Sequence, residues 1–248
     1  MHTTSFFFGR RLLFVLSFLQ TALAGELFVA PQDSQPSHAF AQYVASIQRR
    51  DAFAESGPVG IVIEASVPSL YKEAGLAAIR RTGENERPEY LVLRMEGDGT
   101  VQEEVMARYF ELQDHIEELP VSSIAITSAN YKFRFQGEVK TGRGKAYVYE
   151  ITPRKKRAGL IKGQLWMDAE TGAEVMVTGR LRAPASLGGG VDLVRETTLQ
   201  NGSAVARVTH VALAVPRLGR GEVVISEYPL SSRGESGPAS NTSSEMQP

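Results

Sequence analysis

The chain contains no cysteine. That absence excludes disulfides, a thiolate nucleophile and a cysteine-ligated metal. It also excludes a lipidated N-terminal cysteine, so the chain is expected to be untethered once any leader is removed. Histidine is scarce, and His38, His115 and His210 stand apart without the H-x-x-x-H spacing of a metal site. Serines are plentiful, but no G-x-S-x-G elbow is present. Gly188-Gly189-Gly190 is not followed by Lys-Ser or Lys-Thr, so it reads as a connector rather than a phosphate cradle. No nucleophile-plus-base or paired-acid constellation can be assembled, and the chain is expected to be non-catalytic, with no cofactor.

Long apolar runs are also missing after the first 24 residues. Those residues have the three parts of an export signal. Arg10 and Arg11 form a positive region, Leu12 to Leu19 an apolar core, and Ala22-Leu23-Ala24 a cleavage site. The core is shorter than the roughly 20 residues needed to span a bilayer. A periplasmic or secreted protein without a transmembrane anchor is expected, the other reading of the segment being an uncleaved anchor. Arg10 and Arg11 are the only charged residues of the leader, so its removal leaves 25 basic against 28 acidic residues, a net charge of −3. No nucleic-acid partner is expected from that balance.

What the chain does have is alternation. Residues 25–36, with Pro31, Asp33 and Pro36, read as a loose leader. From His38 to Arg50 the apolar residues Phe40, Tyr43, Val44 and Ile47 recur at helical spacing, with Ser37 as the expected N-cap. Val59, Ile61, Ile63, Ala65 and Val67 alternate up to Pro68 and predict a strand. Tyr71 to Arg87 reads as a short helix or a loop. Glu89 to Met95 predicts a strand closing on the turn Gly97-Asp98-Gly99, and Gln102 to Glu118 a mostly helical segment ending before Pro120.

From Tyr131 the pattern is almost wholly β. Tyr131, Phe133, Phe135, Gly137 and Val139 point one way, and Asn130, Lys132, Arg134, Gln136 and Glu138 point to the wet side. Thr141-Gly142-Arg143-Gly144, Ala169-Glu170-Thr171-Gly172 and Asn201-Gly202 predict hairpin turns. After Gly172, Ala173, Val175, Val177 and Leu181 oppose Glu174, Met176, Thr178 and Arg180, and Val205 to Val215 and Glu222 to Tyr228 complete about nine strands. Short links imply antiparallel pairing, and residues 231–248 lack apolar periodicity and are expected to be disordered. The expected organisation is a 1–24 leader, a 25–36 linker, one α+β domain over 37–230 and a 231–248 tail. One or two helices must cover the sheet's apolar face, and any part left open is a candidate ligand cavity. Its candidate lining is Tyr131, Phe133, Phe135, Tyr147, Tyr149, Leu165, Met167, Val175 and Val177, for which ordinary core packing is the competing reading. The run Arg154-Lys155-Lys156-Arg157 reads as a solvated loop, with contact to anionic headgroups as the alternative.

The segment Tyr147-Val148-Tyr149-Glu150-Ile151-Thr152-Pro153, then Gly163, Trp166-Met167-Asp168 and Thr171-Gly172, resembles the superfamily of LolA, LolB and RseB (MucB), exported bacterial proteins. More closely, phrases such as Leu76-Ala77-Ala78-Ile79-Arg80-Arg81, Gly97-Asp98-Gly99-Thr100-Val101, Ala107-Arg108-Tyr109, Ala129-Asn130-Tyr131-Lys132-Phe133 and Thr209-His210-Val211 resemble a group of uncharacterised exported bacterial proteins. The resemblance implies a strongly curved, incomplete antiparallel β-barrel closed by helices, with an apolar cavity. It also implies a carrier whose partner is an apolar ligand or lipoprotein acyl chain, or alternatively a sensor or interaction module contacting an envelope protein. The chain departs from the pattern in lacking the tethering cysteine of LolB and the second domain of RseB.

Overall fold

The computed structural model describes residues 34–48, 57–83, 88–142, 144–188 and 190–230. The expected leader, residues 25–33 of the expected linker, and the expected tail lie outside them. Ten strands form one antiparallel sheet: β1 (Val59–Val67), β2 (Lys72–Thr82), β3 (Pro88–Gly97), β4 (Tyr131–Thr141), β5 (Gly144–Pro153), β6 (Ile161–Asp168), β7 (Glu174–Arg182), β8 (Gly190–Gln200), β9 (Ser203–Val215) and β10 (Gly219–Pro229). Their order is β3-β2-β1-β10-β9-β8-β7-β6-β5-β4. The run from β4 to β10 is a plain meander, and the earlier strands join its far side through β1 on β10. The sheet does not close, so β3 and β4 are edges. Bulges at Ala77/Ala78, Phe135/Gly137, Trp166/Met167 and Thr198/Leu199 add local bend and twist. This is the curved, open α+β architecture expected from the sequence.

The tenth strand is β2, where the sequence read as a short helix or loop. Ala74, Leu76 and Ala78 are buried on one side, while Gly75, Ala77 and Ile79 are half-buried on the other. Alternation is present, but it is carried by alanines, whose size contrasts little with glycine and whose intrinsic preference is helical. Pairing on both sides, with β1 and β3, overrides that preference.

Two helices lie on the buried face. The first, α1 (Ser34–Gln48), begins before the predicted start at His38, so Ser37 lies inside it rather than capping it. Apolar spacing marks only the part of a helix that packs, and Pro36 is tolerated in the first turn. Ala39 and Tyr43 are buried, and Phe40 and Val44 pack at the margin. The second, α2, spans residues 99–117 as Gly99–Val101, a π turn Gln102–Met106 and Ala107–Glu117. The expected turn residue Asp98 is its N-cap: Oδ1 accepts from the Thr100 and Val101 amides at 2.9 and 3.2 Å. Hydrogen bonding from Lys72, 3.0 Å away, and from these amides holds the Asp98 carboxyl below the usual carboxylate range. The π turn brings Val105 and Met106, adjacent in sequence, into full burial together.

Both helices sit on glycines. At Gly172, with φ +68, a Cβ would meet the Ala39 carbonyl and Gln42 of α1; at Gly221 it would meet Val105 of α2. A short helix, α3 (Val121–Ile124), precedes β4. Asn130, expected on the wet side, does lie opposite Tyr131 but is buried as the hub of this segment. Its Nδ2 donates to the carbonyls of Ser122 and Ala125, both at 2.9 Å, and its Oδ1 accepts from Arg157 at 2.9 Å. Among the described residues no helix is long and apolar enough to cross a membrane.

Candidate functional site

Strand register assembles the concave face row by row. One row crosses all ten strands: Phe135, Tyr149, Leu165, Val177, Arg195, Thr209, Ile225, Ile63, Leu76 and Met95, from β4 to β3. It is apolar at both ends and polar in the middle. The adjoining row through Thr197, Arg207 and Glu227 repeats this break. In these two rows a polar strip separates an apolar field at each end of the concave face, while the neighbouring row through Gly163, Gly179, Leu193, Val211, Val223, Ala65 and Ala74 is apolar throughout, so the two fields join in one core.

The field beneath α1 contains every residue expected to line a cavity except Val175, which the bulge at Trp166/Met167 skips, setting Glu174, expected on the wet side, opposite buried Met167. Tyr131, Tyr147, Tyr149, Leu165, Met167 and Val177 are buried, Phe133 and Val175 are half-buried, and Phe135 is 46% exposed. The bulge at Phe135/Gly137 reverses the facing of the outer half of β4 and leaves Phe135 at the rim: Glu138, expected on the wet side, lies opposite Tyr147, while Gly137 and Val139, expected on the ring face, lie opposite Val148 and Ala146. From that rim a chain of rings runs inward. Phe135 lies 5.3 Å from Tyr149, Tyr149 is 5.7 Å from Phe40 of α1, and Phe40 meets Phe133 edge-to-face at 4.8 Å. Phe133 in turn lies 6.4 Å from Tyr131. All these separations fall within the range of favourable aromatic pairing. At the inner end, the fully buried Tyr131 hydroxyl accepts from the Ile161 amide at 3.0 Å. Burial raises the Tyr131 and Tyr149 phenols above the ordinary tyrosine range.

The polar strip is made of ion pairs. Arg195 holds Glu174 bidentately, Nε to Oε1 at 3.0 Å and Nη2 to Oε2 at 3.1 Å. Glu227 faces Arg80 at 3.1 Å and Arg207 at 3.9 Å. Tyr43 of α1 sits over the Glu174 end; burial first, and then the Glu174 carboxylate, raises its phenol strongly. The Thr197 hydroxyl is buried among these groups with no hydrogen-bond partner. Sequence reasoning passed over this strip, although the signal was there. On β8, Val191, Leu193, Arg195 and Thr197 share one phase, so the last two must face inward if the first two do.

The field beneath α2 is aliphatic, with Val101, Val105, Met106 and Leu112 of α2 in one core with Ile61, Ile63, Leu76 and Ile225. Tyr109 is buried with its hydroxyl accepting from Gln113 Nε2 at 2.6 Å, and burial raises its phenol strongly.

The remaining sequence candidates have structural partners. Arg154 Nε donates to the carbonyls of Ser128 and Tyr131 at 2.8 and 3.0 Å, and Arg157 donates to Ser123 as well as Asn130. Two of the four residues in the basic run therefore clamp the chain entering β4 rather than sitting free in solvent. Asp168 begins its turn as expected, accepting from the Glu170 and Thr171 amides and from the Thr171 hydroxyl. On the convex face, β7 to β10 enclose a crevice of about 610 Å³ lined by Arg180, Asp192, His210, Arg220 and Glu222 among others. Its arginines are neutralised locally, Arg180 by Asp192 at 3.2 Å and Arg220 by Glu222 at 3.0 Å, so the crevice has no uncompensated charge from these four residues to recruit a ligand. Among the described residues no group of three or more His, Cys, Asp or Glu side chains could hold a metal.

No family model matches the chain, and no curated protein matches it. Among solved structures, the superfamily named from the sequence recurs. The chain is similar to a LolA superfamily protein from Nitrosomonas europaea at 10% identity, covering 71% of this chain and 90% of that one, with a TM-score of 0.30. A putative outer membrane lipoprotein-sorting protein domain from Vibrio parahaemolyticus matches at 10% identity, covering 76% and 91%, with a TM-score of 0.30. The MucA/MucB complex of Pseudomonas aeruginosa matches at 12% identity, covering 77% and 94%, with a TM-score of 0.26. At this degree of overlap the functional reading rests on the geometry of the chain itself.

Proposed function

We propose that this chain is an exported, non-catalytic binding or carrier protein that holds an apolar ligand of the acyl-chain class, in the bacterial envelope, against the aromatic field under α1. The observation that carries this reading is the ring series from half-exposed Phe135 through Tyr149, Phe40 and Phe133 to buried Tyr131. It is a graded apolar path from solvent to core, and one of its members, Phe40, belongs to the covering helix rather than the sheet. Shifting α1 would replace a helix–sheet contact with a ligand–sheet contact of the same chemistry. Each methylene so removed from water contributes about 0.8 kcal/mol. The candidate lining residues other than Val175 keep their proposed role, with the six buried ones becoming accessible only when α1 shifts.

Native mass spectrometry of gently purified protein should reveal a co-purifying lipid, and the delipidated protein should take up a fluorescent fatty acid. Phe135→Asp at the exposed entrance should abolish uptake while leaving the fold intact. A ligand-free protein that also refuses the probe would sink the reading. Recovery from envelope extract of a stable protein partner in place of lipid would favour the sensor or interaction module instead.

A further inference from the structure

The two edges of the sheet are protected unequally. Along β4, the charged residues Lys132, Arg134, Glu138 and Lys140 stand among the rings, and a bulge interrupts this strand as another does β3. Arg134 bonds Glu150, and Lys145 bonds Glu138 at 3.1 Å. Charged residues and bulges are the usual means of keeping an edge from pairing. On β3 every residue is exposed, and Tyr90, Leu91, Val92, Leu93 and Met95 are between 46% and 60% exposed. Five neighbouring large apolar side chains on a strand with one unpaired edge are a pairing surface.

Register indicates which partner fits. The bulge at Ala77/Ala78 leaves Leu93 unmatched, so Tyr90, Val92 and Met95 pair with Arg80, Ala78 and Leu76 on the concave side, while Glu89, Leu91 and Arg94 pair with Arg81, Ile79 and Ala77 on the convex side. Lay two copies of β3 antiparallel about a two-fold axis through Leu91, and like faces meet. Leu91 lies opposite Leu91 of the second copy, and Tyr90 lies opposite Val92. With Leu93 skipped as it is against β2, Glu89 lies opposite Arg94. Because the axis doubles every contact, two aromatic–β-branched pairs and two opposite-charge pairs flank a central leucine pair, each a favourable cross-strand combination. Moving the axis to Val92, with Leu93 again skipped, sets Leu91 against Arg94 and Glu89 against Glu96, so both opposite-charge pairs are lost and two like-charge pairs form.

We propose that this chain self-associates through β3, two copies forming an isologous antiparallel ladder that joins their sheets edge to edge. The ladder leaves the aromatic field of each copy open and does not depend on what fills it. A ladder of about eight residues buries less than the roughly 800 Å² per partner of standard complexes, so a concentration-dependent dimer in the roughly micromolar range is expected.

Sedimentation velocity of the purified protein across a concentration series tests this. Leu91→Lys, which sets two lysines on the axis at a half-exposed position, should weaken dimerisation by at least ~10-fold without changing the urea unfolding midpoint. Arg94→Glu should weaken it similarly by opposing Glu89. The double swap Glu89→Arg with Arg94→Glu, which restores opposite charges in this register, should recover affinity to within ~3-fold. A protein monomeric up to ~0.5 mM overturns the proposal, as does a dimer indifferent to Leu91→Lys or a swap that fails to rescue. Amide protection of β3 that appears only on adding an extended peptide would assign the edge to a foreign strand and likewise overturn self-pairing.

Discussion

The two apolar fields of the concave face are covered in different ways. Under α2 the cover is tied down at both ends: Asp98 caps its start and is paired to Lys72 of β2, and near its end Glu117 accepts from Tyr90 of β3 at 3.3 Å. Aliphatic side chains then interlock beneath it. Under α1 the cover is one helix seated on Gly172 and held by ring contacts whose last member, Phe135, is already at the surface. The difference separates a field built for permanent packing from one whose cover can be exchanged for another apolar surface.

The polar strip between the fields provides the largest test. Glu227→Ala removes the carboxylate that both Arg80 and Arg207 face at side-chain exposures of 12–27%, and should cost about 3–5 kcal/mol by urea unfolding. A loss below about 1 kcal/mol would mean that the strip is solvated and does not set the two fields apart. Next, Leu112→Ala in α2 should cost about 2–5 kcal/mol, and Phe40→Ala in α1, at a half-buried position, should cost less. The reverse order would invert the comparison. Tyr131→Phe should cost about 1–3 kcal/mol, because the buried Ile161 amide loses its acceptor while the ring packing stays.

A smaller effect follows from the raised phenols of Tyr43, Tyr109, Tyr131 and Tyr149. The folded state keeps these protons after the unfolded chain begins to release them near pH 10. Their contribution is therefore fully present below that pH and lost as pH rises through the folded-state values. Urea midpoints should be flat with respect to these groups up to about pH 9 and fall above about 10. Finally, hydrogen exchange should protect the amides of α2 more than those of α1, and uptake of an acyl probe should change exchange in α1 and not in α2.

Much of this was legible in the sequence, for reasons that can be stated residue by residue. In β1 and β6 the buried residues are mostly apolar and alternate with less buried ones, so period and burial coincide. In β2 the buried positions are Ala74, Leu76 and Ala78, and the contrast that marks a strand is too small to read. Apolar periodicity begins only at Phe40, so it does not mark the start of α1 at Ser34. The candidate site was legible as a face but not as a site. Alternation separates inside from outside, yet it does not say that Phe135 is carried to the rim by a bulge or that Phe40 enters the ring series from the helix. The inward arginines of β8 and β9 were hidden by the assumption that charge marks the wet side.

The placement of β1 has one more consequence. Its partners are β2, which follows at once, and β10, which comes more than 150 residues later. Such separations slow folding. For a polypeptide threaded through a membrane pore from its N-terminus, β1, β2, β3 and α2 would arrive early and wait, because the seam that fastens them to the meander exists only after the last strand has passed. The sheet is thus a clasp that the final strand shuts, and a chain built this way keeps that seam open until β10 is in place.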